Sequence, residues 1–422
     1  MTRVVPVAVV GGGAAGLMAA ISAATHGAET ILLESTQRVG TKILMSGGTR
    51  CNVTHDFVEA ADYFGGSRNV VARLLREFSH EDARRFFEET LGVPLKREET
   101  GKLFPVSDSA QDVVDALVTR AREVGVEIRT GHRLIALERA AVDGFELTFD
   151  AGVPPLSAHR VVLTTGGLSF PRTGSDGTGY ALAAALGHTI EATTPALTPL
   201  VSSGGIHERL RGVTLEVELT VRVAGKRAWR GAGSFLFTHF GYSGPVVLDA
   251  SRHVARAPAG AEVAVVASFL PGVAAEAFDR ALLEEARSEP RRTVLGALRS
   301  RLPESVAREL LDGAGLVPDQ LLSQLLREER RALVETVTAF PLPVDEVMGY
   351  RKAEVTAGGV ELSEVNPSTM QSRRAPGLYL AGEILNVDGR LGGYNFQWAW
   401  STGWVAGRAA ARFAAAEPTA GP

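Results

Sequence analysis

Two glycine-rich segments, one near each end of the chain, contain the residue types that can hold a nucleotide. The first is Gly11-Gly12-Gly13-Ala14-Ala15-Gly16, and the second runs from Gly382-Glu383 to Gly393-Tyr394-Asn395-Phe396. A single loop of this kind can hold one nucleotide. Two such loops, separated by most of the 422 residues, predict a long cofactor that both ends of the chain hold. FAD fits this description best.

The elements around the first segment are those of a βαβ unit. Val4–Val10 is an apolar, β-branched run that predicts a buried strand, and Ala14–His26 has helical spacing before a stop at Gly27. Thr30–Glu34 predicts the next strand, so the unit has the usual length of about 30 residues. The glycine segment therefore lies between a strand and a helix, as dinucleotide binding requires.

Four positions in this unit have distinct chemical tasks. Gly11 allows the sharp turn, Gly13 lets the backbone approach a pyrophosphate, and Gly16 lets the helix pack on the sheet. The pyrophosphate then meets the free N–H groups of the helix N-terminus. The carboxylate of Glu34, at the end of the second strand, can accept hydrogen bonds from both ribose hydroxyls and disfavours a 2′-phosphate.

The second segment favours FAD over NAD. Gly382-Glu383 follows a predicted strand, Gly377–Ala381, and a predicted helix begins after the loop. The N-terminus of that helix can stabilise the negative charge of a reduced flavin ring. Trp398 and Trp400 of this helix are expected in the core. Because the chain has no second glycine fingerprint followed by an acid, we expect no dedicated nicotinamide domain.

Composition and charge exclude several classes of protein. The net charge is −4, so neither nucleic acid nor a membrane surface is predicted as a partner. Cys51 is the only cysteine, which excludes an intramolecular disulfide, a CxxC redox pair and a cysteine zinc site. No metal site is predicted, and a reducing, cytoplasmic compartment is favoured. The uncharged stretch Val4–Ala28 also fits a signal peptide or anchor, but its glycines favour a strand, turn and helix.

The rest of the chain predicts a doubly wound domain that is interrupted by an insert. Residues 35–67 hold few periodic apolar positions, which predicts a long functional loop, and Asn69–Leu91 has helical spacing. Strands dominate after residue 190, and amphipathic helices follow from residue 276. The predicted parts are a discontinuous cofactor domain (1–190 and 345–422), an inserted β subdomain (191–275) and an inserted helical subdomain (276–344).

Several motifs together resemble one known family. They are Lys42-Ile43-Leu44-Met45-Ser46-Gly47-Gly48-Thr49-Arg50-Cys51-Asn52, the segment from Phe237 to Pro245, Thr356-Ala357-Gly358-Gly359-Val360, and Gly393-Tyr394-Asn395-Phe396-Gln397. With the first glycine segment they resemble the BaiN-type flavoproteins, also described as aminoacetone-oxidase-like FAD-dependent oxidoreductases, over nearly the whole chain. The family usually has glycine before Arg-Cys-Asn. This chain has Thr49 there, a departure that concerns the local backbone.

The resemblance implies an α/β fold: a two-part, glutathione-reductase-like Rossmann FAD-binding domain with an inserted β-barrel-like plus α-helical region. It also implies the contacts with FAD. The pyrophosphate would meet Gly11, Gly13, Ala15, Gly16 and Lys42, and the ribose would meet Glu34. Adenine would meet the backbone of Leu134, and Thr165, Gly166 and Gly167 would pass behind the ribityl or adenosine part. The ring side would meet Ser46, Gly47, Gly48, Cys51, Asn52, Gly382, Glu383, Gly393, Tyr394, Asn395 and Phe396.

A catalytic side chain is not required, because the flavin itself carries the hydride chemistry. Cys51 is a candidate nucleophile or inert packing, and Arg50 could stabilise reduced flavin or pair with Glu383 or another acid. His239 and Tyr242, in the insert, could face the flavin and deliver a proton, or make a structural hydrogen bond instead.

These residues predict an FAD-dependent oxidoreductase that transfers a hydride between flavin N5 and a small organic substrate. The resemblance implies either reduction of a conjugated carbon–carbon bond, with NAD(P)H as electron donor and transient co-substrate, or oxidation of an amine by oxygen. A flavin-binding scaffold or redox sensor without turnover is the alternative from another class. A role in tRNA modification lacks a basic surface signal.

Overall fold

The computed structural model describes residues 4–150 and 152–415. The chain divides into two compact units. The first unit takes its residues from Met1–Thr194 and Glu354–Pro422, and the second unit is Pro195–Ala353. The sequence pattern placed these two boundaries at 190/191 and 344/345. The first unit is therefore discontinuous in the chain, and the second unit lies between its two halves in the sequence.

The first unit is built on a sheet whose central strands are parallel. The strands and helices of this unit are β1 (Val4–Val10), α1 (Ala14–Thr25), β2 (Thr30–Leu33), α2 (Thr41–Met45), β3 (Thr54–His55), β4 (Tyr63–Gly65), α3 (Arg68–Glu77), α4 (His80–Arg85), β5 (Leu95–Arg97), β6 (Lys102–Pro105), α5 (Ala110–Glu123), β7 (Glu127–Arg129), β8 (Leu134–Arg139), β9 (Phe145–Phe149), β10 (Leu156–Leu163), α6 (Thr178–Ala185), β11 (Ile190–Ala196, which crosses the boundary), β19 (Val355–Val360), β20 (Leu378–Leu380), β21 (Val387–Gly389) and α12 (Tyr394–Ala415). The hydrogen-bonded order of the sheet is β7-β2-β1-β10. Strand β10 then pairs with β20 along its C-terminal half and with the antiparallel β9-β8 hairpin along its N-terminal half.

The second unit combines an antiparallel sheet with helices around one core. The elements of this unit are β12 (Leu200–Val201), β13 (Thr214–Val223), β14 (Lys226–Thr238), β15 (Gly241–Ser243), α7 (Pro245–Ala255), β16 (Val263–Ser268), α8 (Ala275–Ser288), α9 (Val294–Arg299), α10 (Glu304–Gly313), α11 (Arg327–Thr338), β17 (Phe340–Leu342) and β18 (Glu346–Val347). The strand order in the sheet is β17-β16-β13-β14-β15-β12-β18. Strand residues such as Phe235 and helix residues such as Leu310 belong to the same buried cluster. The β part and the helical part of the insert therefore share one hydrophobic core.

Helices α1 and α12, from opposite ends of the chain, pack at backbone distance in the first unit. A Cβ atom at Gly403 would lie 2.5 Å from the Ala15 carbonyl oxygen, and one at Gly407 would lie 2.1 Å from that of Ala19. Only glycine permits so close an approach at these positions. Ser22 Oγ adds a hydrogen bond of 2.8 Å to the carbonyl of Trp404. The two ends of the chain are therefore joined directly.

Two local predictions from the sequence are wrong. The helical stretch Asn69–Leu91 is broken at Phe78, because Ser79 caps α4 by accepting the amide of Asp82, whose carboxylate accepts the amide of Ser79 in return. The predicted long loop 35–67 contains α2, β3 and β4. These elements are short, so no apolar periodicity marks them. No helix within the described parts of the chain has the length and apolar character needed to cross a bilayer.

Candidate cofactor site

The candidate site lies at the carboxyl edge of the parallel strands in the first unit. Gly11 follows β1, Glu34 follows β2, Thr165 lies just beyond β10 and Gly382 lies just beyond β20. These four strands are neighbours in the sheet, so the segments that leave them lie along one edge. In open α/β sheets, ligands bind outside this edge. The fold thus brings the predicted glycine loops to the place where a dinucleotide binds.

Glycine occupies the positions of the first loop for different structural reasons. Gly11 has φ +104°, and a Cβ there would lie 2.5 Å from the carbonyl oxygen of Thr164. A Cβ at Gly16 would lie 1.8 Å from the carbonyl oxygen of Gly11. Gly13 differs, because a Cβ there would meet nothing within 4 Å. Gly11 and Gly16 are needed by the fold itself, whereas the space beside Gly13 is open for a ligand.

Glu34 is held rigidly beside this loop. One carboxylate oxygen accepts the Gly12 amide at 2.7 Å, and the other accepts the Thr36 amide at 2.7 Å. The residue is only 7% exposed. The amide of His132 donates to the Glu34 carbonyl at 2.8 Å, which brings the chain towards Leu134, buried at the start of β8. The predicted ribose carboxylate and the predicted adenine segment are therefore neighbours.

The two glycine segments meet directly. A Cβ at Gly382 would lie 2.7 Å from the Cβ of Ala15, in the first turn of α1. The carbonyl of Gly382 accepts the indole N–H of Trp398 at 3.2 Å, and its amide donates to Thr402 Oγ1 at 3.0 Å. Trp398 and Trp400 are buried in the core, as expected. The loop after β20 thus sits between the starts of α1 and α12.

The loop that leads into α12 is shaped by its neighbours. Gly393 has φ +94°, and a Cβ there would lie 2.6 Å from the Thr54 carbonyl. The Asn52 amide, oriented to satisfy its hydrogen bonds, donates to the Thr54 carbonyl at 2.9 Å and accepts the Gly393 amide at 3.0 Å. Asn395 accepts from and donates to the backbone of Gly389. Asn52 therefore joins the first ring-side loop to the second.

Aromatic contacts occupy the side chains at the start of α12. Tyr394 stacks on His55 with ring centroids 5.0 Å apart, and Phe396 stacks on Trp400 at 5.6 Å. His55 was missed from the sequence, because no spacing signal connects it with Tyr394. These contacts fix the side chains of Tyr394 and Phe396 at the start of α12.

Loop Ser46–Asn52 has an unusual backbone. Gly47 and Gly48 have φ of +55° and +66°, and the non-glycine residues Thr49 and Cys51 have φ of +70° and +61°. The left-handed region is costly for a side chain with a Cβ, most of all for a β-branched one. This explains why glycine is usual in the family where this chain has Thr49. Met45, Gly47, Gly48 and Thr49 are all exposed.

Cys51 and Arg50 have surroundings that bear on their candidate roles. Cys51 is fully buried, and this burial raises the pKa of its thiol to about 12. A thiol in that state is a poor nucleophile, so the structure favours the inert packing role. Arg50 pairs with Glu98 at 2.7 Å and Asp108 at 3.5 Å, and its guanidinium stacks on Phe104. Its partners are therefore other acids than Glu383.

Lys42 lies in α2, and its partner is a carboxylate. Its Nζ is 2.5 Å from Glu383 Oε2 and 2.5 Å from Ser169 Oγ. Ser169 and Thr356, which also contact Glu383, were not assigned a role from the sequence. Thr356 opens one of the motifs that carry the family resemblance, which was the available signal.

The segment after β10 is tightly packed against its surroundings. A Cβ at Gly166 would lie 2.5 Å from Ser175 Oγ, and one at Gly167 would lie 2.5 Å from Thr356 Oγ1. Thr165 Oγ1 and Asn386 Oδ1 are buried and make no hydrogen bond within the described residues. Buried polar atoms normally have partners, so these two are available to a bound group or water.

The two candidates in the second unit differ in exposure. His239 is exposed in the turn between β14 and β15. Tyr242 is fully buried in the core of that unit, where burial raises the pKa of its phenol to about 12. Tyr242 therefore packs as a core residue, in contact with Phe235 and Phe237.

The residues present fit FAD. The start of α1 has no side chain that caps it, so its first N–H groups can meet a pyrophosphate. The space beside Gly13 is open, Glu34 closes the second strand, and the second loop meets the first at Ala15. These are the parts that a dinucleotide with a second, distant anchor needs.

Comparisons with known proteins agree with this geometry. The family model described as "HI0933-like protein Rossmann domain" matches residues 5–409. A 3-dehydro-bile acid delta(4,6)-reductase of Clostridium scindens is 35% identical over 408 residues, which cover 96% of this chain and 98% of that protein. A ribosomal RNA dihydrouridine synthase of Escherichia coli is 34% identical over 397 residues, which cover 94% of this chain and 96% of that protein.

Solved structures share the fold at low identity. A variant of the quinol fumarate reductase subunit FrdA of E. coli superposes with TM-score 0.52 at 18% identity, and covers 100% of this chain and 72% of that chain. Sdh1 of Mycobacterium smegmatis gives TM-score 0.51 at 19% identity, with coverage of 98% and 68%. The α/β, Rossmann-like fold and the resemblance to BaiN-type flavoproteins are confirmed. The chain belongs to the HI0933-like family of FAD-dependent oxidoreductases.

Proposed function

We propose that the protein reduces a carbon–carbon double bond conjugated with a carbonyl group in a small organic molecule, with NAD(P)H as electron donor. The observation that carries the proposal is the pair of relatives above. Reduction of a delta(4,6) 3-dehydro bile acid and formation of dihydrouridine both add hydrogen across a double bond conjugated with a carbonyl. Two relatives of similar identity thus share a reaction type, although their substrates differ.

The residues of the first unit have defined tasks in this proposal. The backbone of Gly11, Gly13, Ala15 and Gly16 would hold the pyrophosphate, and Glu34 would hold the ribose. Leu134 and the segment Thr165-Gly166-Gly167 would line the adenosine or ribityl part. The ring would be enclosed by Ser46, Gly47, Gly48, Cys51, Asn52, Gly382, Glu383, Gly393, Tyr394, Asn395 and Phe396. When bound, FAD supplies the hydride-transferring ring.

The absence of a second glycine fingerprint with an acid in the sequence supports a transient role for NAD(P)H. NAD(P)H would bind only transiently, beside the ring-side loop where Gly47, Gly48 and Thr49 are exposed, and would leave before the substrate binds. This order predicts ping-pong kinetics.

A small molecule is the proposed substrate, but charge alone does not exclude nucleic acid. The net charge of −4 predicted no nucleic-acid partner, and a relative of 34% identity is named for action on ribosomal RNA. RNA uridine therefore belongs in the same substrate test as steroid-like enones.

Reduction of a conjugated bond also needs a proton. We propose His239 as its donor, because it is exposed whereas Tyr242 is buried. His239→Ala should lower kcat by about 100-fold, since general acid catalysis contributes that much, while FAD stays bound. His80→Ala, at the start of α4, is the control and should leave kcat unchanged. Wild-type kcat in the His239 variant would remove it from the mechanism.

The cofactor site is tested by filling its open space. Gly13 has φ −81° and no neighbour at its Cβ position, so Gly13→Val should fold normally and lose FAD. Gly204→Val is the matched control, because a Cβ there also meets nothing within 4 Å, and it should keep FAD. Equimolar FAD in the Gly13 variant would place the cofactor elsewhere.

The reaction is tested by anaerobic mixing of the yellow protein with NADH or NADPH. We expect bleaching of the flavin band, followed by its return when a conjugated enone is added. Return only with oxygen, together with consumption of an amine, would favour the oxidase. No reduction by either donor would favour a scaffold or redox sensor. Steroid-like enones, uridine and RNA form the substrate arms.

A further inference from the structure

One ion pair connects the two halves of the discontinuous first unit beside the glycine loops. Lys42 comes from α2, which follows β2 in the chain, and Glu383 directly follows Gly382 of the second glycine segment. Lys42 Nζ and Glu383 Oε2 are 2.5 Å apart, and the two side chains are 25% and 19% exposed. A pair that is so largely removed from solvent is screened less than a surface pair.

The carboxylate of Glu383 gathers donors from two further segments. Its other oxygen, Oε1, accepts the hydroxyl of Ser169 at 2.6 Å and the amide of Thr356 at 2.8 Å. Ser169 in turn accepts from Lys42 Nζ at 2.5 Å. The loop after β10, the strand β19, the helix α2 and the loop after β20 therefore converge on this one carboxylate.

A second carboxyl group, that of Glu354, is affected by the charges of both Lys42 and Glu383. Burial raises the pKa of Glu354, Lys42 opposes this rise, and Glu383 reinforces it. The single ammonium group of Lys42 thus offsets the charge of two acids. Loss of Lys42 would leave the two carboxyl groups beside each other without a cation, which disfavours having both of them charged in this arrangement of the Glu383 loop.

We propose that the Lys42–Glu383 pair is a latch that holds the loop after β20 closed over bound FAD, so that both are positioning residues for the cofactor. The proposal rests on FAD binding in the first unit. Gly382 touches Ala15 in the first turn of α1, so a shift of residue 383 moves the point where the two loops meet. The latch acts on cofactor affinity, whereas a merely structural pair would act on the stability of the apoprotein.

The chain offers a matched control. Arg408 and Glu77 form an ion pair of 2.7 Å that also joins the C-terminal half to the N-terminal half, between α12 and α3. Its side chains are 23% and 36% exposed. Neither residue belongs to a glycine loop. This control pair spans the same two halves without the proposed role.

The test is a double-mutant cycle with Lys42→Met, Glu383→Gln and the double variant. For each, the dissociation constant of FAD is measured by flavin fluorescence, and apoprotein stability is measured by urea unfolding. We expect each single variant to weaken FAD binding by roughly 10-fold, equal to about 1.4 kcal/mol, and the double variant to weaken it no further than the worse single one. Apoprotein unfolding midpoints should change no more than those of Arg408→Met and Glu77→Gln.

Three results would overturn the latch. They are unchanged FAD affinity, additive effects of the two substitutions, and an equal loss of FAD affinity in the Arg408→Met or Glu77→Gln variant. The latch and the proposed reaction fail separately. A wild-type protein that binds FAD with the expected coupling but reduces no enone would remove only the reaction.

Discussion

Two carboxylate networks in the first unit resemble each other in hydrogen bonding and differ in surroundings. Glu364 accepts Thr189 N–H and Oγ1–H, each at 2.9 Å, Arg374 at 2.8 Å and the Nδ1 of His188 at 3.0 Å. Glu383 accepts Lys42, Ser169 and Thr356. Both carboxylates thus join distant segments, and each has one cationic partner.

The difference lies in what else stands nearby. The other ring nitrogen of His188, Nε2, lies 2.7 Å from Ser372 Oγ, and Glu364, His188 and Ser372 are all buried. The hydrogen bonds from Arg374, Thr189 and His188 outweigh the cost of burial and lower the pKa of Glu364 to about 2. The Glu383 network is more exposed, faces a second acid, and adjoins glycine loops with an open space. A network in which every group is paired stabilises the fold, whereas titratable groups perturbed by a neighbouring charge beside an open space are typical of a ligand site.

The largest expected effect on stability comes from a substitution that breaks the Glu364 network. Glu364→Ala leaves Arg374, Thr189 and His188 without their acceptor, so the free energy of unfolding should fall by about 3 kcal/mol. Urea unfolding of the apoprotein measures this loss. Glu361→Ala, which removes only a cap on Ser363 N–H, should cost about 1 kcal/mol. FAD affinity of the folded Glu364 variant should stay normal. A selective loss of FAD affinity would erase the distinction between the two networks.

The pH dependence of stability sharpens the same distinction. The pKa of Glu364 falls from 4.5 to about 2 on folding, so its contribution is complete above pH 4.5 and is lost as pH falls towards 2. That shift is worth on the order of 3 kcal/mol. Burial lowers the pKa of His188 below 6.5, so stability also falls as pH drops below 6.5.

Unfolding midpoints at pH 7, 5.5, 4 and 3 check these two windows. Glu364→Gln should flatten the curve below pH 4.5, and His188→Gln should flatten it just below pH 6.5. Curves of both variants that run parallel to the wild-type curve would contradict the assignment.

The smallest expected effect concerns Thr49, in the predicted ring-side loop Ser46–Asn52. Thr49 has φ +70° in an exposed loop, so Thr49→Gly should stabilise the protein by about 0.5–1 kcal/mol through relief of backbone strain. Thr100→Gly, at an exposed residue outside the left-handed region, should instead be slightly destabilising. Thermal unfolding measures both. A loss of stability in the Thr49 variant would show that its side chain has a compensating role.

The sequence was informative where the chemistry is local. The βαβ unit, the stop at Gly27 and the position of Glu34 follow from strand and helix periodicity and from glycine placement, and the structure has each of them. The break at Ser79 was also local, since its capping pattern is written in the sequence, but the apolar spacing on both sides hid it.

The partners of charged side chains could not be predicted. Lys42 and Glu383 are 341 positions apart, and Arg50 meets Glu98 and Asp108 only because β5 and β6 turn back under its loop. Such pairs depend on how the segments pack, and sequence spacing carries no signal for them. The shared core of the insert was hidden for the same reason, because strand and helix patterns do not say which faces meet.

The backbone contact of α1 with α12 at Gly403 and Gly407 fixes the position of one helix relative to the other. Helix α1 begins at the loop that would hold the pyrophosphate, and α12 begins at the loop that would enclose the ring. The separation of the two helices is fixed where no side chain can intervene. If one helix were shifted along the other by a single turn, about 5.4 Å, the loop that would enclose the ring and the loop that would hold the phosphates would no longer be spaced for one FAD molecule. We therefore expect the packing of Gly403 on Ala15, a residue of the predicted pyrophosphate site, to limit the length of ligand that both loops can hold together.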